Sequence, residues 1–327
     1  MKTVVITGSN GFIGSHTAKV FRKAGYYVVG IDNKYTIPAN KDYCNEVRIG
    51  DYDTVGAFAI QYHQANAIVH CAANSLVGPS ISNPYSYYNN NVAKLNQFLN
   101  TLHDIYNWHG SIIFSSSAAV YGTNSDESIK ENANKDPISP YGRSKLMGEH
   151  IINDYCIAHG YKAIALRYFN ATGCDIDGEL GCIKDDTHLV PRVSTAALNE
   201  KSLIINGNDF NTPDGTCIRD YLHVTDIANA HLAAVELSMG YSEGEFEVFN
   251  LGTGTGYSNL EIANAFVEHN KIPLTWAFGP RQIGDPDKLV ADPINFIHET
   301  GWMPEHSDLE TIVTTTFDFM KKMYYNN

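Results

Sequence analysis

Val4-Val5-Ile6-Thr7-Gly8-Ser9-Asn10-Gly11-Phe12-Ile13-Gly14 decides how the rest of this chain is read. A β-branched apolar run ends at Gly8, and an amphipathic stretch at helical spacing follows over 13–24. Glycines at 8, 11 and 14 permit a tight turn and close backbone approach. The helix start then offers free N–H groups and partial positive charge to a pyrophosphate. The next apolar run ends in Gly30-Ile31-Asp32-Asn33, where a carboxylate is placed to hold an adenosine ribose 2′-hydroxyl. Asp32 would repel a 2′-phosphate, so the expected cofactor is NAD rather than NADP.

Outward from this stretch, short apolar runs alternate with amphipathic ones. Strands are expected at 3–7, 28–32, 46–50, 67–71, 111–115 and 162–167, and helices at 13–24, 52–63, 90–106 and 141–159. Near-continuous apolar strands such as Ala67-Ile68-Val69 suit a parallel sheet covered on both faces. The expected fold is α/β, a Rossmann-type doubly wound parallel sheet with a smaller C-terminal α/β substrate-binding region. The rhythm changes near Asn170, which suggests an NAD-binding domain over 1–170 and a mainly ligand-binding region over 171–327, softly bounded and interleaved. In that second part, helices are expected at 189–198, 225–237, 258–269 and 309–322, and strands at 203–206 and 247–251.

Composition narrows the classes. The 327 residues are 43% hydrophobic and 18% charged, ordinary for a globular protein, and no apolar run nears the roughly 20 residues that span a bilayer. Met1-Lys2-Thr3 runs straight into a strand with no signal-peptide pattern, so a cytoplasmic location is expected. A formal net charge of −13 without a Lys/Arg run argues against nucleic acid or an anionic membrane as partner. Six scattered cysteines without a CxxC, and thirteen histidines without ligand spacing, point to reduced thiols and no metal.

Ser139-Pro140-Tyr141-Gly142-Arg143-Ser144-Lys145 places a phenol and an ammonium four residues apart, on one face of a helix. A nearby cation favours the phenolate, so Lys145 is expected to lower the Tyr141 pKa and fit it for proton transfer. The serine-rich strand end Ser115-Ser116-Ser117 lies between this pair and the glycine turn. Asp51 ends the third strand, where it could bond an adenine amino group or cap the next helix. Ala72 and Ala73 end the fourth, where small residues either admit a cofactor or simply pack.

With these residues in view, the chain resembles the extended branch of the short-chain dehydrogenase/reductase family, and within it the UDP-glucose 4-epimerases. The resemblance runs from residue 3 to about 304. Beyond the glycine turn it rests on His70-Cys71-Ala72-Ala73, on Phe114 to Gly122, on Tyr141 to Lys145, and on Leu166-Arg167-Tyr168-Phe169-Asn170. Asp214 to Val224, the stretch most specific to epimerases, and Asn250-Leu251-Gly252-Thr253-Gly254 complete it. It implies interconversion of UDP-glucose and UDP-galactose: reversible oxidation at sugar C4, turning of the keto-sugar, and return of hydride to its other face. Tyr141 would move the proton of the 4-hydroxyl, Ser117 would orient and share it, and Lys145 would bond the nicotinamide ribose. Cofactor contacts would come from Gly8, Asn10, Gly11, Phe12, Ile13, Gly14, Asp32, Asn33, Asp51, Tyr52, Ala72, Ala73, Asn90, Ser115, Tyr141, Lys145 and Tyr168. On bare sequence, Asn90 reads equally as a helix N-cap. The UDP-sugar would meet Ser117, Tyr141, Asn170, His188, Leu189, Arg219, Arg281 and Asp285, and the family expectation is a homodimer through the helices at 90–106 and 141–159.

Three positions depart from the family pattern: Ser75 where lysine is common, Gln282 in place of a second arginine, and Asn206 at a place often aromatic. They bear on the nucleotide grip, not on hydride chemistry. Leu289 stands where side-chain size is thought to limit N-acetylated sugars. Alternative readings are another nucleotide-sugar epimerase or dehydratase, or a non-catalytic dinucleotide sensor. Ala118 and Ala119 after Ser117 weigh against dehydration, which needs an acidic residue there, and the ordered Ser117, Tyr141 and Lys145 weigh against a mere sensor.

Overall fold

The structure, a computed structural model, describes residues 1–34, 43–124, 126–181, 188–281 and 285–326. Its centre is a sheet of strands β1 (Thr3–Thr7), β2 (Tyr27–Asp32), β3 (Glu46–Ile49), β4 (Ala67–His70), β5 (Ser111–Ser117), β6 (Lys162–Tyr168) and β7 (Phe246–Leu251). The spatial order is β3-β2-β1-β4-β5-β6-β7, and every pairing is parallel. Successive strand side chains face opposite ways. Val4, Ile6, Val28, Val69, Ile113, Ile164 and Leu166 therefore pack on one face, and Val5, Val29, Ile31, Ile68, Ile112 and Ala165 on the other. Burial on both faces is why these strands read as continuous apolar runs. Each fully buried Val, Leu or Ile contributes roughly 1.5–3 kcal/mol of transfer free energy.

The strand expected at 247–251 returns to the main sheet. It pairs with β6 from Phe246↔Ala163 to Leu251↔Tyr168, extending the main sheet to seven strands among the described residues. Helix Val224–Ser238 follows it onto this body: Ile227, Ala230 and Ala234 join Ala18 and Phe21 of the first helix, Phe12–Lys23, in one apolar cluster. Two expected helices also differ at their starts. Tyr52–Gly56 and Asn89–Ala93 are π-helical turns, continued by α-helices Ala57–Tyr62 and Lys94–Asp104.

Leu189–Leu198, Asn259–Asn270 and Leu309–Asn326 form a second helical layer around Val190, Val193, Ile205, Ile262, Phe266, Ile312 and Val313. Leu203–Asn206 pairs with Trp276–Gly279 at its side. Two connections fix this region to the sheet. Asn170–Thr172 runs parallel to Tyr221–His223, and the buried Lys19 ammonium meets Asp175, Asp177 and Glu179 at 2.7, 2.7 and 3.0 Å. Such a cation is tolerable inside because it is so fully paired. No helix among the described residues is long and apolar enough to cross a membrane.

Four histidines are buried in the neutral form. Desolvation lowers His16 and His231 to about 4, and His70 and His223 to about 3. The unfolded chain takes up these protons below ~6.5, where the folded chain does not. Their contribution to stability is therefore complete above that pH and lost as pH falls toward 4, with no further loss from them below about 3. The urea midpoint should fall between pH 7.5 and pH 5, and His231→Gln should flatten that fall; a midpoint constant over this range would contradict the buried neutral assignment.

Candidate active site

The C-terminal ends of β1, β2, β4, β5 and β6 lie side by side: Thr7 pairs with both Ile31 and His70, His70 with Phe114, and Ser117 with Tyr168. Ligands of open α/β sheets bind at this edge. Gly8, at φ +74°, turns the chain so closely that a Cβ there would meet the Ala72 nitrogen at 2.8 Å. A Cβ on Gly14 would lie 2.1 Å from the Gly8 carbonyl oxygen. The turn thus presses the first helix against the strand end, and small Ala72 and Ala73 follow β4 beside it. Gly11 is the helix N-cap, and no side chain caps this terminus.

The Gly11 N–H donates to the Gly8 carbonyl at 3.0 Å and closes the turn, which leaves the N–H groups of Phe12 and Ile13 at the helix start as those that could hold a pyrophosphate. Asp32 closes the other side. Its carboxylate accepts the Asn10 N–H at 2.9 Å and the Lys34 N–H at 3.0 Å, and Asn33 between them is exposed. Two carboxylate oxygens hold more acceptor capacity than these two bonds use, so a ribose hydroxyl can still donate. An uncapped helix start, a glycine turn a Cβ would fill, and a carboxylate at the β2 end together fit a dinucleotide.

Asp51 does not cap with its side chain; the carboxylate takes Lys94 at 2.7 Å. Tyr52 turns inward, its buried ring edge-on to His70 at 4.7 Å and its hydroxyl donating to the Asn90 carbonyl at 2.5 Å. Only its backbone is left to face a ligand. Asn90 lies inside the π turn, not at a helix start; the capping residue is Asn83, which accepts from Ser86 N–H. Tyr168 is buried with its hydroxyl 3.0 Å from His231 Nε2.

Helix Pro140–His159 begins at Ser139, whose side chain accepts the Gly142 N–H, and Pro140 supplies its first turn. One turn on, the Lys145 ammonium donates to the Ser115 carbonyl at 2.6 Å and lies 5.0 Å above the Phe114 ring. It is 6.0 Å from the centre of the Tyr141 ring. Desolvation brings the Lys145 pKa down to about 8, against the smaller opposing effects of Cys71 and Glu149. The phenol of Tyr141 does not follow the expected direction: desolvation raises it, a hydrogen bond with Ser117 lowers it, and Tyr87 raises it. The reason is placement, since Lys145 spends its bond on Ser115 rather than on the phenol. Ser117 closes the group, and its hydroxyl also accepts the Ala119 N–H at 3.2 Å.

Sequence reasoning passed over several neighbours. Tyr87 stands edge-on to Tyr141 at 6.4 Å, and Cys71 accepts the Ser115 hydroxyl at 3.3 Å, its thiol pushed up to about 11 by burial. Cys71 occurs in a stretch already singled out and Tyr87 does not, and only the fold brings them to the strand end.

On the other side of the edge, Asn170 N–H donates to the Asp220 carbonyl where the two short strands meet. His188 precedes helix Leu189–Leu198 and lines a small cavity with Phe12, Ala171, Thr172, Gly173 and Pro191; desolvation lowers its pKa. Arg219 is buried, donating to the carbonyls of Ile218 and Pro286, while its second terminal nitrogen stands 3.4 Å from Asp285 without a hydrogen bond. Arg281 lies 3.7 Å over the Phe210 ring and pairs with Asp287 at 2.8 Å. Leu289 runs beside Arg219 and packs near Ala118, Tyr121 and Phe169. Ser75 is exposed, Asn206 ends its strand opposite Gly279, and Gln282 lies outside the described residues.

Residues 4–252 match the family model described as the NAD dependent epimerase/dehydratase family. The UDP-glucose 4-epimerase of Lactobacillus helveticus is 37% identical over 332 residues, covering 98% of this chain and 97% of its own. Among solved structures, the UDP-glucose 4-epimerase from Brucella ovis in complex with NAD is 40% identical with a TM-score of 0.90, over 97% of this chain and 98% of that one. The Bifidobacterium longum UDP-glucose 4-epimerase in complex with NAD+ and UDP is 32% identical with a TM-score of 0.87, over 98% of both.

The geometry around Asp32 makes a measurable claim. Asp32→Ala should weaken NAD binding to cofactor-stripped protein and erase its preference over NADP, read by calorimetric titration. An unchanged preference would remove Asp32 from the cofactor site.

Proposed function

The chain belongs to the NAD dependent epimerase/dehydratase family, and on that premise we propose that Tyr141, Ser117 and Lys145 carry its chemistry. It interconverts UDP-glucose and UDP-galactose by reversible oxidation and reduction at sugar C4, with NAD as cofactor. The convergence of these three side chains at the end of β5, beside the glycine turn, is the observation that supports the assignment.

Bound NAD supplies reversible hydride acceptance and, in its oxidised form, a positive charge that favours the phenolate. Phe12 and Ile13, at the helix start that the Gly11 turn sets, would hold its pyrophosphate and Asp32 its adenosine ribose, with Asp51, Asn90, Ser115 and Lys145 along the same edge. Tyr141 takes the proton of the 4-hydroxyl as C4 is oxidised and gives it back when C4 is reduced. Ser117, close enough to the phenol to lower its pKa, orients the hydroxyl and passes the proton along. Lys145, seated on the Ser115 carbonyl, holds a buried cation near the developing charge. The keto-sugar turns over between the two hydride transfers. Ala118 and Ala119 form the short 3-10 turn after Ser117, so the acid or base that elimination needs is not supplied there.

For the rest of the substrate, Arg219 is the phosphate cation: it is buried, and one of its terminal nitrogens has a donor to spare. Asn170, His188, Leu189, Asp285 and Arg281 are assigned around the nucleotide and sugar. A homodimer through helices Lys94–Asp104 and Pro140–His159 is part of the same proposal. Ile105, which follows the first of these helices, and Met147 and Ile157 on the second stand exposed, which supports it. The assembly is placed in the cytoplasm.

Tyr141→Phe keeps the ring and removes the proton-transfer group. Turnover should fall by about 10²–10⁴, with the fold and bound NAD retained by circular dichroism and absorbance. Turnover near that of the unmodified chain would end the assignment of Tyr141.

A further inference from the structure

Three consecutive serines at the end of β5 each take one residue from helix Pro140–His159. The Ser115 carbonyl accepts Lys145, Ser117 bonds Tyr141, and the Ser116 hydroxyl donates to Glu149 Oε1. Tyr141, Lys145 and Glu149 are spaced at i, i+4 and i+8, so they form one stripe on one helix face. The first two belong to the chemistry. The third is a buried carboxylate with no place in it.

Glu149 is held more firmly than either. Arg167 Nε donates to Oε1 at 2.9 Å and Nη2 to Oε2 at 2.6 Å, a bidentate pair from β6. Arg167 is fixed in turn: its remaining terminal nitrogen donates to the Tyr121 hydroxyl at 2.8 Å and the Glu131 carbonyl at 3.0 Å. Tyr121 donates to Asn250 Oδ1 at 2.7 Å, at the β7 edge. The pair is nearly closed to solvent, with side-chain exposures of 3% and 5%. Bidentate charge-assisted bonds have little angular freedom. The same face packs tightly, since a Cβ on Gly148 would lie 2.6 Å from the Phe114 ring. The helix therefore cannot slide or turn against β5 without breaking the Glu149 contacts.

We propose that Glu149 is a positioning residue for the reaction: locked by Arg167 and Ser116, it sets the register that brings Lys145 to the Ser115 carbonyl and Tyr141 to Ser117. This rests on the roles given above to Tyr141 and Lys145. A displacement of the reacting groups by about 1 Å can cost 10²-fold in rate. A loosened register would also change the surroundings of the phenol, and with them its ionisation.

The test uses full-length protein with its bound cofactor and compares Glu149→Gln, Glu149→Asp and Ser116→Ala. Ser116→Ala removes only the strand-side bond and leaves the Glu149–Arg167 pair intact, so it carries the test if Glu149→Gln does not fold. Expected results are a fall in kcat of about 10-fold for Ser116→Ala and about 10²-fold for Glu149→Gln, little change in KM, partial recovery in Glu149→Asp, and an acid limb of the kcat–pH profile moved to higher pH. Loss of folded protein alone would scale all rates and leave the shape of that profile unchanged, which would overturn the proposal. So would unaltered kcat in Ser116→Ala. Tyr141→Phe and the unmodified chain, assayed alongside, separate the two claims. If the unmodified chain does not epimerise, the functional reading has failed. If it does, and Tyr141→Phe is inactive while the Ser116 and Glu149 variants match the unmodified chain, only the positioning role falls.

Discussion

The close contact between Gly14 and the Gly8 carbonyl is the constraint on which the site depends. There is no room for a side chain between them. The helix start is thereby pressed onto the strand end, and no side chain caps it. Asp32, one strand over, then binds the Asn10 N–H and fixes the outer wall. A dinucleotide site here is a consequence of backbone packing more than of any one side chain. The parallel sheet does the rest by delivering the ends of β1, β2, β4, β5 and β6 to the same edge.

Across that edge, the reacting groups are held by a helix that crosses the end of β5. The cation of Lys145 sits in a desolvated place that costs it charge stability, opposed only in part by Cys71 and Glu149, and it donates to the Ser115 carbonyl. Burial raises the phenol of Tyr141 when protein groups alone surround it. The protein by itself is therefore a poor base at this position, and its acid–base readiness depends on what else is bound.

Much of this was legible in the sequence. The glycine turn, Asp32, and Tyr141 with Lys145 were recognisable because backbone demands and helical spacing are local properties. The alternation of apolar runs also marked the six N-terminal strands, within a residue or two at their ends. What stayed open was long-range. Periodicity shows that 247–251 is extended but not which sheet it joins, and β7 turned out to complete the main one. Helical spacing put Lys145 near Tyr141, but the ammonium found a carbonyl on another element. Tyr52 and Asn90 came from the resemblance, and the fold adds that the first is a core aromatic whose hydroxyl bonds the backbone of the second. Glu149 passed unnoticed because a glutamate on a helix is ordinarily a solvated charge; only the fold shows Arg167 beneath it.

The central claim is that this chain epimerises a UDP-hexose at C4 with a cofactor it already holds. Proton NMR of UDP-galactose incubated with purified protein, with no NAD added, tests it most directly. The account predicts that the UDP-glucose anomeric signal appears and grows to an equilibrium mixture. A spectrum that stays that of UDP-galactose, even after NAD is supplied, would contradict it.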